Sequence, residues 1–433
     1  MKLRIEPVTG ALSGSLRPPG DKSISHRAAI FGGLARGQTH VTGFLLAEDT
    51  LATLNAMAAL GARVDREGDR VTIDGRPLKA PAQALDLGNS GTGIRLIAGA
   101  LAGHPDLYGQ RLQLIGDRSL SVRPMMRIIK PLSAMGARIE GTDGHAPLNL
   151  VAARLAPIRL ELPVASAQVK SAILLAALNA DGVTEVAEPG ISRDHTERLL
   201  PAFGVRLERA EGVVRMTGPQ TLSGSGVSVP GDLSSAAFMI AAAALVPGSK
   251  VEIRDVGVNP TRDGFLRILQ HMGGQISRVD MAGSAGSEPV ATLTVEGGAG
   301  LRGFDIPADW VPLAIDEFPV IMALAAVAGG TTVISGAAEL RVKESDRLAV
   351  MTRQLRHLGV AVDETPDGAV IHGGRVRGGE VESEGDHRIA MSLAVLALVA
   401  EQPVIIDGAE WIRTSYPGFV DDLNSLGAGL QWQ

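Results

Sequence analysis

One local pattern recurs six times along this chain: a helix-like stretch ends in a large apolar residue, followed by glycine, a small residue and an extended segment. It reads Leu60-Gly61-Ala62, Met135-Gly136-Ala137, Phe203-Gly204-Val205, Met272-Gly273-Gly274, Leu358-Gly359-Val360 and Leu426-Gly427-Ala428. Glycine just past a helix is the usual left-handed C-cap, and alternating segments such as Arg70-Val71-Thr72-Ile73 then predict strands. Offset from this pattern are apolar helices opened by polar caps: Gly20-Asp21, Gly88-Asn89-Ser90, Ser166-Ala167-Gln168, Gly231-Asp232, Asp316-Glu317 and Gly385-Asp386. Runs such as Ile173-Leu174-Leu175-Ala176-Ala177 are apolar on most faces and belong inside a domain. The chain thus predicts an α/β fold of six units of roughly seventy residues, each with two helices and several strands.

With 433 residues, two domains of three units each are the economical arrangement. The phrase Pro19-Gly20-Asp21-Lys22-Ser23 returns as Pro230-Gly231-Asp232-Leu233-Ser234, which places a break near residue 230. If the buried helices aim their N-termini at one cleft, that cleft attracts anions. Spacing alone is equally compatible with six ordinary caps.

The net charge of -6 argues against nucleic acid or an anionic membrane as a partner, so any anionic ligand must be held by local cations. The absence of cysteine excludes disulfides, thiolate nucleophiles and cysteine metal sites. Met1-Lys2-Leu3-Arg4-Ile5-Glu6 lacks a signal-peptide core, and Ala236–Val246 is too short to span a bilayer. A soluble cytoplasmic protein is expected.

Five clusters join charge to capping positions. In Gly20-Asp21-Lys22-Ser23-Ile24-Ser25-His26-Arg27 a helix would bring Ser23 and Arg27 onto one face, with Lys22 and His26 likewise paired. Asp21 stands where a P-loop requires glycine, so this is an anion site of another kind. Gly88-Asn89-Ser90-Gly91-Thr92-Gly93-Ile94-Arg95 offers close backbone approach and hydrogen bonds, though alone it could be a Gly-rich turn. In Arg118-Ser119-Leu120-Ser121-Val122-Arg123-Pro124, Pro124 fits a first helical position and leaves Arg123 extended before it. Ser166-Ala167-Gln168-Val169-Lys170-Ser171 opens another apolar helix, with Ser192-Arg193-Asp194-His195 as a satellite that could equally be a polar loop. Arg341-Val342-Lys343-Glu344-Ser345-Asp346-Arg347 would set Lys343 and Arg347 on one helix face beside Glu344. Asp316-Glu317-Phe318-Pro319 and Asp386-His387-Arg388 add titratable groups at buried helices.

A helix end contributes roughly 0.3–1 kcal/mol to binding an anion, whereas micromolar affinity needs about 8 kcal/mol. Side-chain cations must supply the difference. Lys22, Arg27, Arg123, Lys343, Arg347 and Arg388 are the candidates, and so many cations suit two small polyanionic substrates.

Gly20 to Arg27, Leu87-Gly88-Asn89-Ser90-Gly91-Thr92, Arg341 to Arg347 and Asp386-His387-Arg388-Ile389-Ala390-Met391 together resemble the enolpyruvylshikimate phosphate synthase (3-phosphoshikimate 1-carboxyvinyltransferase) family along essentially the whole chain. The string Ser166 to Ser171 with Ser192 to His195 resembles its second, more divergent class. The resemblance implies a two-domain inside-out barrel, each domain being three βαβαββ units, with the active site in the interdomain cleft. It also implies that residues 1–18 join 231–433 in a discontinuous domain, while 19–230 form the other. The small-molecule substrates would be phosphoenolpyruvate and shikimate 3-phosphate, handled by a monomer with no metal or other cofactor.

The implied roles follow residue by residue. Shikimate 3-phosphate would be bound by Lys22, Ser23, Arg27, Ser166, Ala167, Gln168, Arg193, Asp316 and Lys343. Phosphoenolpyruvate would be bound by Lys22, Asn89, Gly91, Thr92, Arg123, Gln168, Arg347, His387 and Arg388. Lys22, Asp316 and Glu344 would be catalytic, Asp316 as base for the 5-hydroxyl and Glu344 as acid toward the methylene carbon. Cations beside Glu344 favour its ionised form while burial favours the acid, and the residues leave that balance open. Glyphosate competes at the phosphoenolpyruvate site in this family and alanine at this glycine crowds it, so Gly91 implies a sensitive enzyme.

Two positions depart from the family pattern. Thr414, within Arg413-Thr414-Ser415-Tyr416-Pro417, stands where many members have lysine, and Glu339 where many have asparagine. The sister transferase acting on UDP-N-acetylglucosamine is the nearest alternative; it usually has Lys-Asn in place of Lys22-Ser23 and commonly a loop cysteine. A non-catalytic anion-binding protein is the alternative of a different class.

Overall fold

The computed structural model describes residues 1–281 and 288–433. Their contacts divide into two compact units. One comprises Met1–Pro19, the chain from Pro230 to the undescribed stretch, and Pro289–Gln433; the other comprises Gly20–Val229 with Glu288. Each unit has its own apolar core. Among the described residues the strands form six sheets, three in each unit, giving a mixed α/β architecture.

In the Gly20–Val229 unit, Arg70–Gly75 pairs antiparallel with both Gly37–Thr42 and Arg63–Glu67. His145–Val151 pairs in the same way with Arg111–Ile115 and Arg138–Thr142, and Val213–Gly218 with Gly182–Ala187 and Glu208–Ala210. A short parallel strand lies at one edge of each sheet. In the first sheet that strand is Gly226–Ser228, supplied by the end of the unit. The other unit borrows from the chain start: Ser13–Leu16 runs parallel to Lys250–Gly257, and Leu3–Glu6 lies between Val404–Asp407 and Gly429–Trp432.

Helices Lys22–Leu34, Gly91–Ala102 and Ala167–Ala177 occupy the interior of one unit, and Leu233–Leu245, Phe318–Ala325 and His387–Ala397 that of the other. The Leu233 helix buries every residue from Leu233 to Ala244, as expected for a helix apolar all round. Small residues let such helices touch through their backbones. A methyl group on Gly99 would lie 2.2 Å from the carbonyl oxygen of Ala172, so the Gly91 and Ala167 helices cross with almost nothing between them.

Five of the polar caps act through side chains. Asp21 accepts from Ile24 N (2.9 Å), Ser90 from Gly93 N (3.0 Å), Ser166 from Val169 N (3.5 Å), Asp232 from Ser234 N (2.8 Å) and Asp386 from Arg388 N (2.9 Å). The Phe318 helix differs: its N-cap residue, Glu317, makes no side-chain cap hydrogen bond, and Pro319 at its start removes one donor that would need a partner. Gly61, Gly136, Gly204, Gly273, Gly359 and Gly427 all have φ between +84° and +112°, a region costly for any residue with a Cβ.

Two local expectations are corrected. Pro124 does not open a helix; Arg118–Ser121 is already one helical turn, and the next helix begins at Met126. Lys343 and Arg347 share no helix face, because Ala338–Val342 is a 3-10 turn that ends before Lys343, and the helix starts only at Arg347. Asp346 caps that helix by accepting from Ala349 N (3.0 Å), which interrupts the run between the two cations. Among the described residues no helix is long and apolar enough to cross a membrane.

Candidate active site

Within the Gly20–Val229 unit, the first turns of the three interior helices are tied to one another by polar side chains. Lys22 forms an ion pair with Asp49, which stands in the first turn of the outer helix Glu48–Ala59. His26 is buried between Thr53, whose Oγ1 is 2.9 Å from Nδ1, and the cap Ser90, whose Oγ is 3.5 Å from Nε2. Burial foremost, with Lys22 and Arg27 adding to it and Asp49 opposing, lowers the His26 pKa to about 3, so the ring is neutral. It serves as a hydrogen-bonding spacer under the Asn89–Thr92 turn.

That turn carries several of the candidate residues. Arg123 Nη2 donates to Asn89 Oδ1 (2.5 Å) and Ser119 Oγ (3.3 Å), which holds the guanidinium over the turn. A methyl group on Gly91 would lie 3.1 Å from Arg123 Nη1 and 3.3 Å from Arg95 Nη1. Gln168 Nε2 donates to Thr92 Oγ1 (2.9 Å), and Arg95 donates to Gln168 Oε1. Asn89, Gly91, Thr92, Arg123 and Gln168 are thereby brought together, with Arg95 as a further cation. Arg95 sits in the quoted motif, but its sequence position gives no sign of which side chain it meets.

Arg27 is only 2% exposed. Its Nε donates to Thr196 Oγ1 (2.7 Å), Nη2 to Ser171 Oγ (2.9 Å) and Nη1 to the Ser23 carbonyl (2.8 Å). Burial, partly offset by Glu197, Asp21 and Glu288, lowers its pKa to about 10, and the guanidinium remains charged. Its reach toward Ser23 is through the backbone, not the hydroxyl that the four-residue spacing suggests.

Within the other unit, Arg347 gathers the carboxylates. It is 1% exposed, with Nε 2.8 Å from Asp386 Oδ2, Nη2 2.7 Å from Glu344 Oε2 and Nη1 3.5 Å from Asp316 Oδ1. Burial alone would lower the Arg347 pKa, but Asp386, Glu344 and Asp316 outweigh it and hold it above the usual value. Burial would raise Asp386, and Arg347 reverses that, leaving this carboxyl below the usual range. Lys343 Nζ lies 3.3 Å from Asp316 Oδ1 and 3.9 Å from Glu339 Oε1. Arg388 donates from Nη1 to the Asp316 carbonyl (2.9 Å) and lies 3.6 Å from the buried Glu317 carboxylate. Asp316, Lys343, Glu344, Arg347 and Arg388 therefore form one charged cluster, and His387 lies in the same first helical turn as Arg388.

The departing positions make local contacts, Glu339 with Lys343. Thr414 donates to the Trp411 carbonyl (2.7 Å), and the Arg413 guanidinium lies 5.2 Å from the centre of the Trp432 ring. Away from these clusters, a pocket lined by Val8, Val246, Pro247, Leu398 and Val399 lies at the C-terminal ends of the Leu233 and His387 helices.

Residues 8–423 match the EPSP synthase (3-phosphoshikimate 1-carboxyvinyltransferase) family. The chain is 52% identical to a 3-phosphoshikimate 1-carboxyvinyltransferase of Halorhodospira halophila, covering 98% of this chain and 95% of the relative. It is 51% identical to one of Geobacter sulfurreducens, covering 96% and 97%. A solved structure of EPSP synthase from Acinetobacter baumannii superposes with a TM-score of 0.89 at 45% identity, covering 99% of each chain. On this evidence of sequence and fold, the chain belongs to the EPSP synthase (3-phosphoshikimate 1-carboxyvinyltransferase) family.

Proposed function

We propose that the protein transfers the enolpyruvyl group of phosphoenolpyruvate to the 5-hydroxyl of shikimate 3-phosphate and releases phosphate, in the shikimate pathway of aromatic amino acid biosynthesis. The observation that carries this reading is identity of about half the residues along nearly the full length of relatives bearing that name. The cluster around Arg347 supports it, because two carboxylates suited to acid–base work flank one guanidinium.

In the proposed reaction the 5-hydroxyl oxygen bonds to C2 of phosphoenolpyruvate while Asp316 takes the hydroxyl proton and Glu344 protonates the methylene carbon. The resulting tetrahedral intermediate then expels phosphate, which leaves with the proton that Asp316 took, and Glu344 takes back a methyl proton to restore the double bond. Lys22 serves both substrates and steadies charge as it develops. Ser23, Arg27, Ser166, Ala167, Gln168, Arg193 and Lys343 serve shikimate 3-phosphate. Asn89, Gly91, Thr92, Arg123, Gln168, Arg347, His387 and Arg388 serve phosphoenolpyruvate. Asp49 holds Lys22 in place, a role supported by their ion pair.

The finer architecture belongs to the same reading: two inside-out barrel domains of three βαβαββ units, residues 1–18 with 231–433 and residues 19–230, acting on a common pair of substrates. The protein would work as a cytoplasmic monomer on small molecules, without nucleic acid or membrane. Phosphate release tests the reading. Release is expected with phosphoenolpyruvate and shikimate 3-phosphate together; release only with UDP-N-acetylglucosamine as acceptor would assign the sister reaction, and none with either would leave a binding protein.

A further inference from the structure

Lys170 stands in the string Ser166-Ala167-Gln168-Val169-Lys170-Ser171, where a cation at a helix start suggests an anionic ligand. The structure gives it other work. Lys170 Nζ is 2.5 Å from Glu188 Oε2 and 2.7 Å from Glu197 Oε1, and all three side chains are nearly inaccessible to solvent. Burial would lower the lysine's pKa, but the two carboxylates outweigh it and raise it, so the ammonium is retained.

What this charge supports is Glu188, just past the end of strand Gly182–Ala187. Glu188 Oε1 accepts from the backbone N–H of Ser166 (2.9 Å), and Oε2 accepts from Ser192 Oγ (2.8 Å) as well as from Lys170. One buried carboxylate therefore fastens two separate segments. The first is the cap of the Ala167 helix, leading into Ala167 and Gln168; the second is the loop in which Ser192 precedes Arg193. A buried carboxylate is tolerated only when paired and fully hydrogen-bonded, which Lys170 makes possible. The network continues beside it: Thr196 Oγ1 lies 2.7 Å from Ser171 Oγ, and both accept from Arg27.

We propose that Glu188 is a positioning residue for the shikimate 3-phosphate side of the site, registering the Ser166–Gln168 segment against Arg193 while Lys170 neutralises it. The inference rests on the reading above that Ser166, Ala167, Gln168 and Arg193 serve that substrate. Glu188 touches neither substrate in this scheme; it sets the distance between two groups that do. Loss of that distance lowers affinity for shikimate 3-phosphate more than for phosphoenolpyruvate, because Gln168, which serves both, is also held by Thr92 and Arg95.

The test is calorimetric binding of shikimate 3-phosphate to the full-length protein, together with steady-state KM values for both substrates. Glu188→Ala, which releases both the Ser166 N–H and the Ser192 hydroxyl, is expected to weaken shikimate 3-phosphate binding by about tenfold or more, with a clearly smaller rise in the KM for phosphoenolpyruvate. Glu188→Gln, which keeps an acceptor for Ser166 N–H, is expected to recover most of it. Should Glu188→Ala not fold, Ser192→Ala removes one of the same bonds and is expected to weaken shikimate 3-phosphate several-fold. Unchanged binding in a folded Glu188→Ala or Ser192→Ala variant, or equal losses for both substrates, would overturn the proposal. Ser166→Ala separates the two ideas: if it weakens binding and the Glu188 variants do not, the pocket stands and the positioning role falls. If Ser166→Ala and Arg193→Ala are also without effect, the pocket reading fails as well.

Discussion

Arg347 Nε and Asp386 Oδ2 are 2.8 Å apart and both side chains are buried, so each charge depends on the other. Asp386 also accepts from Arg388 N at the start of its helix and lies 3.1 Å from Ser345 Oγ. Asp386→Ala is expected to destabilise the protein by about 3–5 kcal/mol, since it strands a buried guanidinium and removes a cap. Because the folded-state pKa of Asp386 is depressed, the wild type keeps this stabilisation above the ordinary carboxylate value and loses it as pH falls through the lower folded value. Urea unfolding across the acid range should show that loss in the wild type and its absence in Asp386→Asn.

His26 titrates with the same sign of pH dependence but in a higher window. An unfolded histidine ionises near 6.5, while the folded ring stays neutral down to about 3. Stability should fall with acidification between those values by up to about 1.4 kcal/mol per pH unit from this group alone. His26→Asn, which has no proton to take up, should flatten that part of the unfolding free energy curve.

At Gly91 the added methyl of an alanine would press on Arg123 Nη1 and Arg95 Nη1 at 3.1 and 3.3 Å. Gly91→Ala is expected to raise the KM for phosphoenolpyruvate several-fold and to weaken inhibition by glyphosate by about tenfold or more, equivalent to about 1.4 kcal/mol. Inhibition curves for the two proteins at matched phosphoenolpyruvate saturation check this. An unchanged inhibition constant would remove Gly91 from that pocket.

Asp316→Ala and Glu344→Gln should each lower kcat by about 10²- to 10⁴-fold, the usual contribution of a positioned acid or base. Both side chains lie on the buried Arg347, so melting temperatures must accompany the rates. A folded Asp316→Ala with wild-type phosphate release would exclude this carboxylate as the base.

Gly99→Ala probes the packing beneath the site. Its Cβ would meet the Ala172 carbonyl oxygen at 2.2 Å, so the helices must separate, at a cost of about 1–3 kcal/mol or more. Thermal unfolding should show the loss, and Ala98→Gly on the same helix offers a comparison without added volume.

Local features of this fold are written plainly in the sequence, because a cap or a left-handed glycine depends on residues within a turn of itself. Asp21, Ser90, Ser166, Asp232 and Asp386 cap the helices whose starts they mark, and Gly359 and its five counterparts adopt positive φ. Partners distant in sequence are not written that way. Nothing adjacent to Lys22 announces Asp49, and nothing adjacent to Lys170 announces Glu188 and Glu197. The spacing of Lys343 and Arg347 even misleads, since Asp346 starts a new helix between them. Which cations can meet a substrate and which are consumed by the fold is decided by tertiary contacts alone.

The strand Leu3–Glu6 carries a consequence for synthesis. Its neighbours on either side, Val404–Asp407 and Gly429–Trp432, lie far downstream in the chain, beyond the whole of the Gly20–Val229 segment. The segment Gly20–Val229, whose sheets draw only on its own strands, can assemble while translation continues. The first strand has to wait, unpaired, until Val404–Asp407 has been made. Its sheet can close only once Gly429–Trp432 has also emerged.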